Sequence, residues 1–235
     1  ASFHHHDFNQ KLFDTELKML AKKLDMEVKI HYQDPKRLKN IAIFVSKESH
    51  CLIKLLNAKR SGEIVANIVV IVGSENTTNS IAKKYDIPFH HIVHSTQSDA
   101  ENEILEILDR YNVDLIVLGR YMRILTPNFV WRYPDRIINI HPSLLPAFPG
   151  AYAYVQAYER GAKIVGCTAH FVTEDLDQGP IICQESFRVR QDDTVESIKR
   201  RGQKLEAVTL LKAVTLYLKN SIEVNWGRVV LKNTE

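Results

Sequence analysis

The sequence predicts an α/β fold with a mostly parallel central sheet flanked by helices, and three observations lead there. Short uninterrupted apolar runs rich in β-branched residues alternate along the chain with helical stripes, the pattern of strands joined by crossover helices. Those runs are apolar throughout, as in strands covered on both faces. The chain has 235 residues and 45% hydrophobic content, enough to bury a sizeable core in one large domain, or in one domain with an appendage.

The first segment reads as the appendage. From Asn9 to Asp25, Leu12, Phe13, Leu17, Leu20, Ala21 and Leu24 follow helical spacing, and Met26 to Tyr32 alternates like a strand before Asp34-Pro35. A helix and one or two strands cannot bury a core alone, since even domains of about 40 residues usually need help. Residues 1–34 are thus expected to be part of a larger module or an arm packed on residues 35–235, and the unpartnered apolar stripe predicts a homo-oligomer. His4, His5 and His6 are consecutive and cannot share one face of a strand, so they read as surface or a tag remnant rather than a metal cluster.

The main domain then alternates. Strands are expected at Ile41–Ser46, Ile64–Val72, Phe89–Val93, Asp114–Leu118, Arg136–Ile140, Ile164–Val172 and Ile181–Val189. Helices are expected from Cys51, at Ile81–Tyr85, at Ala100–Tyr111 with its Ile104, Leu105, Ile107 and Leu108 stripe, near Tyr154–Arg160, and at Thr194–Leu218. Glu223–Leu231 reads as a hairpin turning at Trp226-Gly227.

Charge and cysteine usage narrow the function classes. The net charge is only +3, from 31 basic and 28 acidic residues spread along the chain, so no footprint for nucleic acid stands out. The three cysteines lie far apart without zinc-site spacing, which fits buried thiols in a reducing compartment. No apolar run is long enough to span a bilayer and no signal-peptide layout precedes the domain, so the cytoplasm is the expected location.

Chemistry concentrates at Asn139-Ile140-His141-Pro142-Ser143-Leu144-Leu145-Pro146, where a buried strand gives out into a Pro-broken loop. Residues two apart on a strand share a face, so Asn139 and His141 project together at a strand end, where ligands bind in open α/β sheets. An amide donor beside an imidazole suits acyl chemistry. A strand-end Asn capping backbone and a His satisfied by a carbonyl is the simpler account, and on spacing alone it is the stronger one. Asp177 sits on the acidic loop closed by Gly179-Pro180, where it could hold the His tautomer or orient a water, or merely bond turn N–H groups. The loop Ser46-Lys47-Glu48-Ser49-His50 lacks the glycines of a dinucleotide site and the Gly-Lys-Ser/Thr of a P-loop, and Glu48 would repel a phosphate at the following helix.

Asn139–Pro146, followed by His170-Phe171-Val172-Thr173 and Leu176-Asp177-Gln178-Gly179-Pro180-Ile181-Ile182, resembles the folate-dependent formyltransferase superfamily, over nearly the whole chain. Within it, Ser46–Leu52, Arg120-Tyr121-Met122, Ala147–Ala151, Gln156–Gly161 and the terminal hairpin resemble the formyltetrahydrofolate deformylases. The resemblance implies a Rossmann-like formyltransferase fold and hydrolysis of 10-formyltetrahydrofolate, with Asn139, His141 and Asp177 as the catalytic trio and no metal or other cofactor. It implies folate contacts from Arg120, Met122, Arg123, Ile124 and Leu125 and from His170, Val172, Thr173, Glu174 and Asp175. Glu48, Ser49 and His50 would line the acceptor side. It further implies that residues before Asp34 are the second half of an ACT domain, a ferredoxin-like module that could take an amino-acid effector.

Two alternatives follow from the same resemblance. Glycinamide ribonucleotide formyltransferases usually carry Gly-Ser-Asn where this chain has Glu48-Ser49-His50, which speaks for water as acceptor. His141-Pro142-Ser143-Leu144 points the other way, because deformylases commonly show His-His-Ser-Phe there. A folate-binding regulator without catalysis is the second alternative, and the presence of all three polar residues opposes it.

Overall fold

The computed structural model describes residues 9–26, 28, 30 and 37–232, and the chain divides into two units, Ala1–Arg37 and Leu38–Glu235. In the first unit, α1 (Gln10–Lys23) is capped by Asn9, whose side chain accepts from the Leu12 N–H. Leu12, Met19, Leu20 and Leu24 are exposed on it. Among the described residues this unit contains no strand, so a ferredoxin-like module is not seen; the strand expected over Met26–Tyr32 falls largely outside the described residues, as do His4, His5 and His6.

The second unit is a mixed α/β Rossmann-like domain. Its elements run β1 (Asn40–Val45), α2 (His50–Arg60), β2 (Asn67–Gly73), α3 (Asn79–Lys84), β3 (Phe89–His91), α4 (Gln97–Arg110), β4 (Leu115–Leu118), α5 (Pro127–Trp131), β5 (Ile137–His141), α6 (Ala153–Glu159), β6 (Ile164–Phe171), β7 (Ile181–Arg188) and α7 (Val195–Leu218). The hairpin β8 (Ile222–Asn225) and β9 (Arg228–Leu231) follows. The seven-stranded sheet has the order β3-β2-β1-β4-β5-β6-β7. The first five pair in parallel, while β6 and β7 are antiparallel.

Alternation along β1 explains the layers. Ile41, Ile43 and Val45 pack with Leu52, Leu55 and Leu56 of α2 and Leu210, Leu211 and Val214 of α7. Ala42 and Phe44 face Ile104 and Leu108 of α4 and Phe129 of α5 on the opposite side. Helix α5 was not expected; Pro127 at its first turn and the Thr126 cap make it, but one turn is too short to show a stripe. Because β1, β4 and β5 are parallel neighbours, their carboxyl ends lie side by side, and the chain leaves them at Ser46, Gly119 and His141.

Candidate active site

Three segments meet at the end of β5. The strand supplies Asn139 and His141; antiparallel β6 sets His170 opposite Asn139 and Thr168 opposite His141. The loop after β6 returns Asp177 to the same place, with Oδ2 3.2 Å from His141 Nδ1 and Oδ1 3.9 Å from His170 Nε2. That return depends on Gly179, where a Cβ would overlap the Phe171 carbonyl oxygen. Asp177 itself has φ 56°, the left-handed region that aspartate tolerates better than most residues.

The hydrogen bonds define where protons sit. His170 Nδ1 lies 2.8 Å from the Phe171 carbonyl oxygen, so it is the donor nitrogen. Nε2 is then free to accept from the Asn139 amide at 3.1 Å, which fixes which end of that amide carries the hydrogens. Burial lowers the pKa of His170 against the opposing effects of the Phe171 carbonyl and Asp177, which suits this neutral role. His141 Nε2 is 2.9 Å from the Phe148 carbonyl oxygen, while Nδ1 faces the Asp177 carboxylate. Both partners are acceptors, so a ring carrying two protons, or one proton shared with Asp177, satisfies the contacts. Burial raises the Asp177 pKa, but hydrogen bonds from His141 and the Gly150 N–H, with the nearby ring charges, outweigh it and hold the carboxyl below its usual range.

The loop between β5 and α6 thus touches both members of the pair, through the Phe148 carbonyl and the Gly150 N–H. It is pinned by Ser143, whose hydroxyl donates to the Ala147 carbonyl at 2.5 Å, and by the Leu145 N–H donating to the Thr168 hydroxyl at 3.0 Å.

The other sequence-predicted residues divide. Met122, Arg123 and Ile124 are exposed beyond β4, with the Met122 N–H donating to the Ser46 hydroxyl and the Ile124 carbonyl accepting from Gln97. Leu125 is buried in the core against α4 and α5. Val172 and Thr173 are half-buried; Glu174 is exposed and accepts from the Trp131 indole at 3.1 Å, and Asp175 is exposed. Arg120 does not face that loop: its Nε donates to Glu48 at 2.9 Å and lies 3.6 Å from Glu206. His50 is drawn to the same carboxylate, with Nε2 2.9 Å from Glu206 Oε2. Glu206 and its partner Tyr154 escaped the sequence reading. A lone carboxylate among Ile198, Gly202, Leu210 and Ala213 at helical spacing was the available signal.

Among the described residues, one group of metal-ligand type occurs: His50, Cys51 and Glu206, with ligand atoms within 4.8 Å of one another. Arg120 already supplies positive charge beside that carboxylate and would repel a cation, and burial together with Glu206 pushes the Cys51 thiol pKa well up, against the thiolate a metal needs.

The formyl transferase family model matches residues 39–214. The formyltetrahydrofolate deformylase of Bacillus subtilis (strain 168) is 42% identical over 216 residues, 91% of this chain and 71% of that protein. Among solved structures, a formyltetrahydrofolate deformylase from Pseudomonas syringae pv. tomato str. DC3000 is similar with a TM-score of 0.82 at 33% identity, covering 95% of this chain and 75% of the other. Glycinamide ribonucleotide transformylase 1 from Symbiobacterium toebii reaches 0.80 at 32% identity, over 87% of this chain and 98% of the other. The backbone is thus shared by hydrolysing and transferring relatives.

Proposed function

The chain belongs to the formyl transferase family, and we propose that it hydrolyses 10-formyltetrahydrofolate to formate and tetrahydrofolate at Asn139, His141 and Asp177. The observation that carries this reading is the 3.2 Å approach of His141 Nδ1 to a buried Asp177 carboxylate, two residues along the strand from the Asn139 amide.

In this reading, water attacks the formyl carbon and the carbonyl oxygen becomes an oxyanion. Asn139 gives one amide hydrogen to His170, which leaves the second for that oxyanion, and the His141 ring, held between Asp177 and the Phe148 carbonyl, helps to stabilise the charge beside it. Asp177 orients the water, accepts its proton and passes that proton to N10 as the C–N10 bond breaks, so tetrahydrofolate leaves together with formic acid, which ionises to formate. No step calls for a metal or other cofactor. The pterin is assigned to Met122, Arg123 and Ile124 and to the loop carrying Val172, Thr173, Glu174 and Asp175, whose Glu174 accepts from the Trp131 indole.

For residues 1–34 the proposal remains an ACT-like regulatory segment, supported by the sequence resemblance and by the amphipathic α1, whose exposed Leu12, Leu20 and Leu24 also support a homo-oligomer. The buried thiols of Cys51 and Cys167 suit a cytoplasmic enzyme. No helix among the described residues is long and apolar enough to cross a membrane.

The deciding experiment incubates the protein with 10-formyltetrahydrofolate, with and without glycinamide ribonucleotide. Release of formate and tetrahydrofolate in both cases is expected. Formylation of the amine would establish transfer, the reading favoured by Pro142 and Leu144, and absence of turnover would leave a folate-binding regulator.

A further inference from the structure

A second buried polar cluster lies behind the catalytic pair, centred on Glu206. Its side chain is fully buried on α7, a helix that also buries Ala207, Leu210 and Ala213. Burying a carboxylate costs several kcal/mol unless it is well paired, and an apolar residue of similar size would often be no less stable. Here two donors meet it, the Tyr154 phenol at 2.7 Å on Oε1 and His50 at 2.9 Å on Oε2, and the Arg120 guanidinium places its charge 3.6 Å from Oε2. Burial and the Glu206 charge both raise the Tyr154 pKa, so the phenol keeps its proton and donates.

The chain is shaped for the Tyr154 contact. One turn before Glu206 on the same face of α7 stands Gly202, and a Cβ there would overlap the Tyr154 ring and hydroxyl. The glycine therefore lets the phenol cross the helix backbone to reach the carboxylate. Tyr154 is the second residue of α6. A few residues before it, the same segment presents the Phe148 carbonyl to His141 and the Gly150 N–H to Asp177. In this segment Phe148 and Tyr152 take left-handed backbone, at φ 52° and 61°, which a non-glycine residue holds only when its surroundings fix it.

We propose that Glu206 is a positioning residue for the catalytic pair, acting through Tyr154 to hold the Phe148–Gly150 loop against His141 and Asp177. The inference rests on the catalytic reading of that pair. Glu206 touches no reacting atom; it sets where the two loop groups stand, and these groups set the orientation of the imidazole and the charge state of the carboxyl. His50, the first residue of α2, and the Arg120 guanidinium both approach Oε2, which leaves Oε1 to the phenol.

The test compares formate release, melting temperature and the pH profile of kcat for wild type, Tyr154→Phe, Glu206→Gln and Glu206→Ala. Tyr154→Phe and Glu206→Ala are expected to lower kcat roughly 10- to 100-fold, with KM for 10-formyltetrahydrofolate within about twofold, because misplacement of about 1 Å at the reacting groups costs on that order. Glu206→Gln, whose amide oxygen still accepts from the phenol, should recover most of kcat. In Tyr154→Phe the acid limb should also move toward neutral pH, since the Gly150 N–H no longer holds the Asp177 carboxyl down. Variants that melt earlier but keep wild-type kcat and acid limb would overturn the proposal, as would equal losses in Glu206→Gln and Glu206→Ala. The contrast at position 206 decides whether or not Tyr154→Phe folds. If wild type releases no formate, the catalytic reading itself fails, and the proposal with it.

Discussion

Asn139 donates an amide hydrogen to His170 Nε2 across 3.1 Å, from β5 to the facing position of antiparallel β6. A histidine at 170 that accepts must be neutral there, and its Nδ1–H is already committed to the Phe171 carbonyl. The pairing is therefore an orientation device: it forces the Asn139 amide to present its second N–H, and not its oxygen, to whatever lies in front of it.

His170→Ala should accordingly release the Asn139 amide to rotate and lower kcat by about 10- to 100-fold, the order of a misaligned oxyanion donor. His170→Gln, which can still accept from Asn139, should lose less. Steady-state formate release from the two variants checks this; equal activity in wild type and His170→Ala would show that the amide is fixed by something else.

For the pair itself, Asp177→Asn and His141→Ala should each reduce kcat by about two to four orders of magnitude while folate binding stays close to wild type, because acid-base and oxyanion groups act mainly in the transition state. The double substitution should cost little more than the worse single one. Single-turnover rates alongside binding of a folate analogue give the comparison, and wild-type-like turnover in Asp177→Asn would remove that carboxylate from the mechanism.

Much of this arrangement is legible in the sequence. Asn139 and His141 are two apart on a β-branched run, so their common placement follows from strand period, and the strands Ile41–Ser46 and Ile164–Val172 come within a residue of β1 and β6 because apolar runs bounded by polar turns leave little choice. The strand expected from Ile64 begins only at Asn67: Ile64 is buried, but the helix α2 turn claims it through an N–H bond to the Ala58 carbonyl. Long-range pairing is what stays hidden. Nothing local tells that Asp177 returns to His141, that Arg120 turns to Glu48 and Glu206, or that Tyr154 crosses Gly202, since each depends on elements far apart in sequence.

Two acid-side effects on stability follow from the pKa shifts. His170 is lowered, so between its folded pKa and the unfolded value near 6.5 the unfolded chain binds the extra proton, and stability is lost as pH falls through that window. Asp177 is lowered as well; its contribution is complete above the unfolded carboxylate value and disappears as pH falls through the folded one. Melting temperature should therefore fall in two stages on acidification, the first shallower in His170→Gln and the second shallower in Asp177→Asn. Parallel curves for wild type and both variants would show that neither group carries the linkage.

The choice between water and amine rests on the loop after β1. A phosphate-bearing amine such as glycinamide ribonucleotide needs an anion site at the acceptor side, and the N-terminus of α2 with nearby cations is where one would form. The cations are present, but Glu48 holds them: Arg120 Nε is 2.9 Å from one of its oxygens and Lys199 Nζ 3.0 Å from the other. Those two side chains also hold the Glu48 pKa down despite its burial, so the carboxylate stays charged and a phosphate would have to displace it. His50, the first residue of α2, is likewise engaged by Glu206. Saturating glycinamide ribonucleotide should therefore leave the rate of formate and tetrahydrofolate release unaltered in wild type. Glu48→Ala frees Arg120 and Lys199, so in that variant the same compound should bind and change the rate. Indifference of the variant together with stoichiometric formylation of the amine by wild type would overturn the hydrolytic reading and assign the loop to a transferase.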